Sequence, residues 1–112
     1  MSITVERLAS LIQRELAIIV NNNIQNKEIG YINLTEVKVT KDKSIATIYY
    51  TILSDDEKDL KKAEELIEKN RGQIRMELAQ KIKNIRKIPD LIFKYDEALA
   101  YGNHIDKLLK TI

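Results

Sequence analysis

Residues 60–96, LKKAEELIEKNRGQIRMELAQKIKNIRKIPDLIFKYD, decide how this chain folds. Apolar side chains fall at Leu60, Ala63, Ile67, Ile74, Leu78, Ile82 and Ile85. Steps of three, four and seven put them on one stripe of a helix. The stripe is interrupted at Asn70 and Arg71, and Gly72 follows at once. Ser54-Asp55-Asp56-Glu57 has the spacing of a capping box, which predicts a helix from about Asp55 to Lys69. Asn70 and Gln73 repeat that spacing, which predicts a further helix from Asn70 to about Arg86. The expectation is two abutting helices bent at Asn70-Arg71-Gly72, with the glycine letting another backbone approach closely. Pro89 keeps Ile88 out of helical geometry, and Leu91, Phe93 and Tyr95 alternate with Ile92 and Lys94 as a strand.

Upstream, Val5, Leu8, Ile12, Leu16, Ile19 and Ile24 form one apolar face, so residues 3–24 read as a helix ended by Asn21-Asn22-Asn23. A polar loop from Gln25 to Gly30 follows. Tyr31 to Thr40 reads as a strand whose apolar parity slips near Thr35-Glu36, which suggests a bulge. After a short turn at Lys41-Asp42-Lys43, Ala46, Ile48, Tyr50 and Ile52 alternate with Thr47, Tyr49 and Thr51, completing an antiparallel hairpin. Downstream, Asn103-His104-Ile105-Asp106 predicts a last short helix with Ile105, Leu108, Leu109 and Ile112 on its apolar face. The order is α-β-β-α-α-β-α, and the fold class is α+β, with helices covering one face of a three-stranded sheet.

The chain has 112 residues, enough for one domain with its own core, so residues 1–112 are expected to form a single unit. There is no cysteine, hence no disulfide framework, as befits a cytoplasmic protein. The first residues lack the pattern of an export signal, and no apolar run approaches membrane-spanning length. The formal net charge of +2 is strongly segregated. Residues 54–68 carry seven acidic and three basic side chains, whereas residues 69–88 carry seven basic and one acidic. Such a local excess can hold a polyanion where the total charge would not.

No enzyme site is legible. His104 is the sole histidine and reads as a surface or capping residue, so no histidine metal cluster is expected, and no cofactor either. No glycine-rich nucleotide loop is present. The carboxylates of residues 55–68 alternate with Lys58, Lys61 and Lys62 as in a solvated helix surface. The basic limb is the remaining candidate. Arg75 and Arg86 lie about three turns apart on one flank, Arg71 opens toward the same side, and Lys83 and Lys87 lie on the solvent side. Basic helices are commonly just solvated, but the break, the glycine and the segregated charge favour phosphate binding, for which arginine's fork is well suited. A second reading makes the chain a protein-docking module that uses its acidic helix or exposed sheet face, with Tyr31, Tyr49 and Tyr101 as anchors.

Several spaced motifs resemble the bacterial ribosome-binding factor A family. They are Val37-x-Val39-Thr40-x-Asp42 with Ala46, Gly72-x-Ile74-Arg75-x-x-Leu78, Ile85-Arg86-x-x-Pro89-x-Leu91-x-Phe93-x-x-Asp96 and Gly102-x-x-Ile105-Asp106-x-Leu108-Leu109. The resemblance implies a type II KH-like domain in which a kinked helix junction, here Asn70-Arg71-Gly72, replaces the usual GxxG loop. It also implies a non-enzymatic cytoplasmic factor that binds the free 30S subunit and its 16S rRNA, assists late maturation and processing near the rRNA 5′ end, and leaves before translation. The expected RNA-binding residues are Arg71, Gly72, Arg75, Lys83, Arg86 and Lys87. A monomer is expected, with no membrane or small-molecule partner.

Overall fold

Thr4 starts the first helix. Its hydroxyl accepts from the Arg7 amide at 3.2 Å, and α1 then runs Val5–Asn23. The computed structural model describes residues 3–82 and 87–98. Within them the order is α1, β1 (Asn33–Val39), β2 (Ile45–Thr51), α2 (Glu57–Lys81) and β3 (Asp90–Tyr95). The last helix expected at Asn103–Ile112 lies outside the described residues, as do His104 and Tyr101.

The asparagines after Ile19 dock the end of α1. Asn21 pairs with the backbone of Ile32 in both directions, accepting its amide at 2.8 Å and donating to its carbonyl at 2.9 Å. Asn23 donates to Glu77 of α2 at 2.6 Å. The sheet order is β1-β2-β3, with β2 antiparallel to β1 and parallel to β3. A parallel neighbour requires a crossover, and α2 supplies it. The expected bulge is present. Leu34 faces Tyr50, Glu36 faces Tyr49, and Thr35 is the extra residue, so Ile32, Leu34 and Val37 are all buried despite their parity slip. Thr35 Oγ1 donates to Asp96 Oδ2 at 2.5 Å, tying the end of β3 to the bulge.

The core lies on one sheet face. Leu8, Ile12, Leu16 and Val20 of α1 and Ala63, Ile67, Ile74 and Leu78 of α2 pack with Ala46, Ile48, Tyr50 and Leu91. Truncating a fully buried Leu or Ile of this kind to Ala costs about 2–5 kcal/mol.

Two sequence expectations need correction. The N-cap of α2 is Asp56, which accepts from the Lys58 amide at 2.9 Å. Ser54 sits two residues earlier, accepting from the Asp56 amide and donating to Asp59 Oδ2. The larger correction concerns the helical pair. Glu57–Lys81 is one helix of 25 residues with no boundary at Asn70. Asn70 does not cap a new helix. Its Nδ2 donates to the Leu66 carbonyl at 2.8 Å, one turn back within the same helix. Ile67 and Ile74, 1% and 0% exposed, anchor the helix to the core on either side of the polar step. A mid-helix glycine costs only about 1 kcal/mol, too little to break a helix so anchored.

Candidate nucleic-acid interface

The chemistry of α2 changes along its length. The flank turned toward β3 carries Glu64 and Glu68 and then Arg71 and Arg75, at steps of three and four. Glu64 lies beside Tyr50, Tyr95 and Asp96 in a surface groove. Burial, then the charges of Glu64, Tyr95 and Glu68, push the Tyr50 phenol up to about 12. Burial, then Asp55, Asp96 and Glu97, also raise the Tyr95 phenol. The two rings meet edge to face with centroids 6.0 Å apart. This end of the domain is acidic and aromatic, and it opposes polyanions.

The other half of α2 is basic, and its cations differ in what they do. Arg75 is committed to the fold. Its Nη2 donates to the Ile88 carbonyl at 2.7 Å, its Nε donates to the Pro89 carbonyl at 3.3 Å, and Nη2 lies 3.6 Å from Asp90 Oδ1. A guanidinium fork suits two adjacent carbonyls, which a lysine cannot span. It thereby holds the entry to β3, where Ile88 and Pro89 are buried. Arg71 is exposed and makes one long contact, 3.8 Å from Glu68, an arrangement worth little in water. Lys81, on α2, and Lys87 are exposed and make no ion pair among the described residues. Lys83 and Arg86 lie outside the described residues.

Gly72 is exposed in the middle of α2, and a Cβ built there would meet nothing within 4 Å. The protein's own packing does not require a glycine at this position. Because Gly72 is interior to the helix, its neighbourhood offers no helix N-terminus to an anion. Any role for it is the clearance it gives an outside surface.

For the second reading, Tyr31 is exposed and Tyr49 is half-buried with the Lys38 ammonium 5.5 Å from its ring centroid. Among the described residues no group of three or more histidine, cysteine or carboxylate side chains is placed to hold a metal ion, and no helix is long and apolar enough to cross a membrane.

What sequence reading missed at this site is the clamp. Arg75's partners are carbonyls 13 and 14 positions along the chain, and backbone acceptors leave no residue-type signal.

The profile of the ribosome-binding factor A family matches residues 4–109. The ribosome-binding factor A of Phytoplasma mali is 58% identical over 112 residues, covering all of this chain and 98% of the relative. That of Macrococcus caseolyticus is 40% identical over 112 residues, covering all of this chain and 96% of the relative. Among solved structures, the crystal structure of ribosome-binding factor A from Thermus thermophilus superposes with a TM-score of 0.67 at 18% identity, over 83% of this chain and 97% of that one. A homology model of the Thermus thermophilus protein, fitted into a cryo-EM map of a 30S–RbfA complex, gives a TM-score of 0.66 at 19% identity, over 80% and 91% of the two chains. The fold is KH-like, as in those structures, and the chain belongs to the ribosome-binding factor A family.

Proposed function

We propose that the protein is a cytoplasmic, non-enzymatic assembly factor that binds the free 30S subunit as a monomer. It would grip 16S rRNA phosphates with the basic half of α2 and the segment leading into β3. The observation that carries this is the separation of charge along α2 and just beyond it: Arg71 is only weakly paired, Lys81 and, past the helix, Lys87 have no ion pair among the described residues, and carboxylates sit at the opposite end. Cations supply the affinity, and the acidic end, repelled by phosphate, sets which end of the domain faces the rRNA. Lys83 and Arg86 belong to the same basic run of sequence. Arg75 serves this surface by shaping it, and Gly72 gives clearance for close approach. Family membership and the 30S complex of the Thermus thermophilus protein support the choice of partner. The proposal extends to a role in late maturation and in processing near the 16S rRNA 5′ end, a reading that family membership supports.

Sucrose-gradient sedimentation with purified ribosomal particles tests the reading. The protein should travel with free 30S subunits and be depleted from intact ribosomes. Equal association with both, or with neither, would count against it.

A further inference from the structure

The β1–β2 turn lies at the basic end of the domain, although its lysines, Lys41 and Lys43, precede the basic run that starts at Lys69 by 28 and 26 residues in sequence. Ile45 pairs with Asp90 at the start of β3, and the Asp90 amide donates to the Ser44 carbonyl at 2.9 Å. Arg75 in turn holds Ile88, Pro89 and Asp90. The turn, the β3 entry and the second half of α2 are thus clamped together at one end of the sheet. Lys41 is exposed, Lys43 is half-buried, and neither makes an ion pair among the described residues.

The turn is rigid. Asp42 Oδ1 accepts from the Thr40 hydroxyl at 2.7 Å, the Ser44 hydroxyl at 2.7 Å and the Ser44 amide at 3.1 Å. Thr40 Oγ1 also accepts from the amides of Ser44 and Ile45, each at 3.2 Å. The one carboxylate in the turn is spent on holding its shape. Lys43 has φ +61°, the left-handed region that glycine and asparagine occupy easily and lysine does not. A lysine kept in a conformation that disfavours it points to a use for its charge.

We propose that Lys41 and Lys43 form a second, separate lobe of the nucleic-acid interface, contacting backbone phosphates beside those met by Arg71 and Lys87. The inference rests on the function proposed above and adds to it a contact from the sheet side of the domain. The turn presents its two lysines on a preformed frame, so little chain entropy is lost when phosphates dock. The contact reads charge and position, not base identity.

The test uses Lys43→Gly and Lys41→Gln, singly and together, with purified free 30S subunits as the probe. Affinity is measured across a series of salt concentrations. Lys43→Gly removes the charge and relieves the backbone, so the variant should melt at a higher temperature yet bind more weakly. That opposition separates a lost contact from a damaged fold. Each substitution should flatten the log–log salt slope by about 0.7–0.9, and the pair by about twice that. A control pair at the acidic end, Lys58→Gln with Lys61→Gln, should leave the slope unchanged. If the turn variants match the unaltered protein while Arg71→Gln and Lys87→Gln lower the slope, the second lobe is wrong and the proposed function stands. If the unaltered protein does not bind 30S subunits, both fall.

Discussion

The Arg75 guanidinium donates to the Ile88 carbonyl at 2.7 Å, and this bond joins the middle of α2 to the segment that enters β3. A second bond reaches Pro89, so one side chain satisfies two adjacent carbonyls. Arg75→Ala should therefore destabilise the protein by about 1–3 kcal/mol, because charge-assisted bonds are lost and carbonyls are stranded. Arg75→Lys should recover only part of this. Urea denaturation of the three proteins measures it. Equal midpoints would show that the clamp contributes nothing to stability.

Gly72 separates stability from binding in another way. Its Cβ position is open, so Gly72→Ala should stabilise α2 by about 0.5–1 kcal/mol. If close approach of rRNA uses that opening, the same variant binds 30S subunits less tightly. A variant that is both more stable and an equal binder would remove Gly72 from the interface.

Asn70 tests the continuity of α2. Were it the cap of a separate helix, Asn70→Ala would cost about 1 kcal/mol. Inside a continuous helix, the gain in helix propensity offsets the lost bond to Leu66, and the change should lie within about 0.5 kcal/mol. Thermal melting distinguishes the two values.

The reason the sequence misleads at Asn70 is physical. Asn-x-x-Gln is a cap pattern only if the asparagine oxygen accepts from the amides ahead of it. Here its amide group donates backward to Leu66, and Ile67 and Ile74 anchor the helix through the polar step. Longer-range regularities are easier to read. The parity slip at Thr35-Glu36 could only be a bulge if Leu34 and Val37 were both to be buried, and it is one. The alternation of Ala46, Ile48 and Tyr50 needed no tertiary information. The basic run was visible as composition, but the roles within it were not. Arg75 and Arg71 are four residues apart on one flank, yet only the fold shows that Ile88 and Pro89 claim the first and leave the second exposed. The β1–β2 turn carries no sequence signal of its place beside that run, because the proximity depends on β3 pairing in parallel with β2.

Tyr50 should make stability fall at high pH. Its phenol is raised to about 12 in the folded protein, chiefly by burial, against about 10 when unfolded. The unfolded chain loses that proton first, so the contribution is intact below pH 10 and declines as pH rises toward 12. Tyr50→Phe should flatten the decline relative to the unaltered protein, as read by urea midpoints from pH 9 to 11.5. Parallel curves for the two proteins would contradict the assignment.

Binding to the 30S subunit should depend on the basic end of the domain, and cosedimentation of three proteins with purified free 30S subunits measures that dependence. These are the unaltered protein, Arg71→Glu with Lys87→Glu, and Lys58→Glu with Lys61→Glu. All four positions are exposed or lie in weak surface contacts, and both pairs change the net charge equally. The unaltered protein and the Lys58/Lys61 variant should pellet with the subunits, while the Arg71/Lys87 variant stays in the supernatant. Equal pelleting of all three would show that the basic end does not carry the binding.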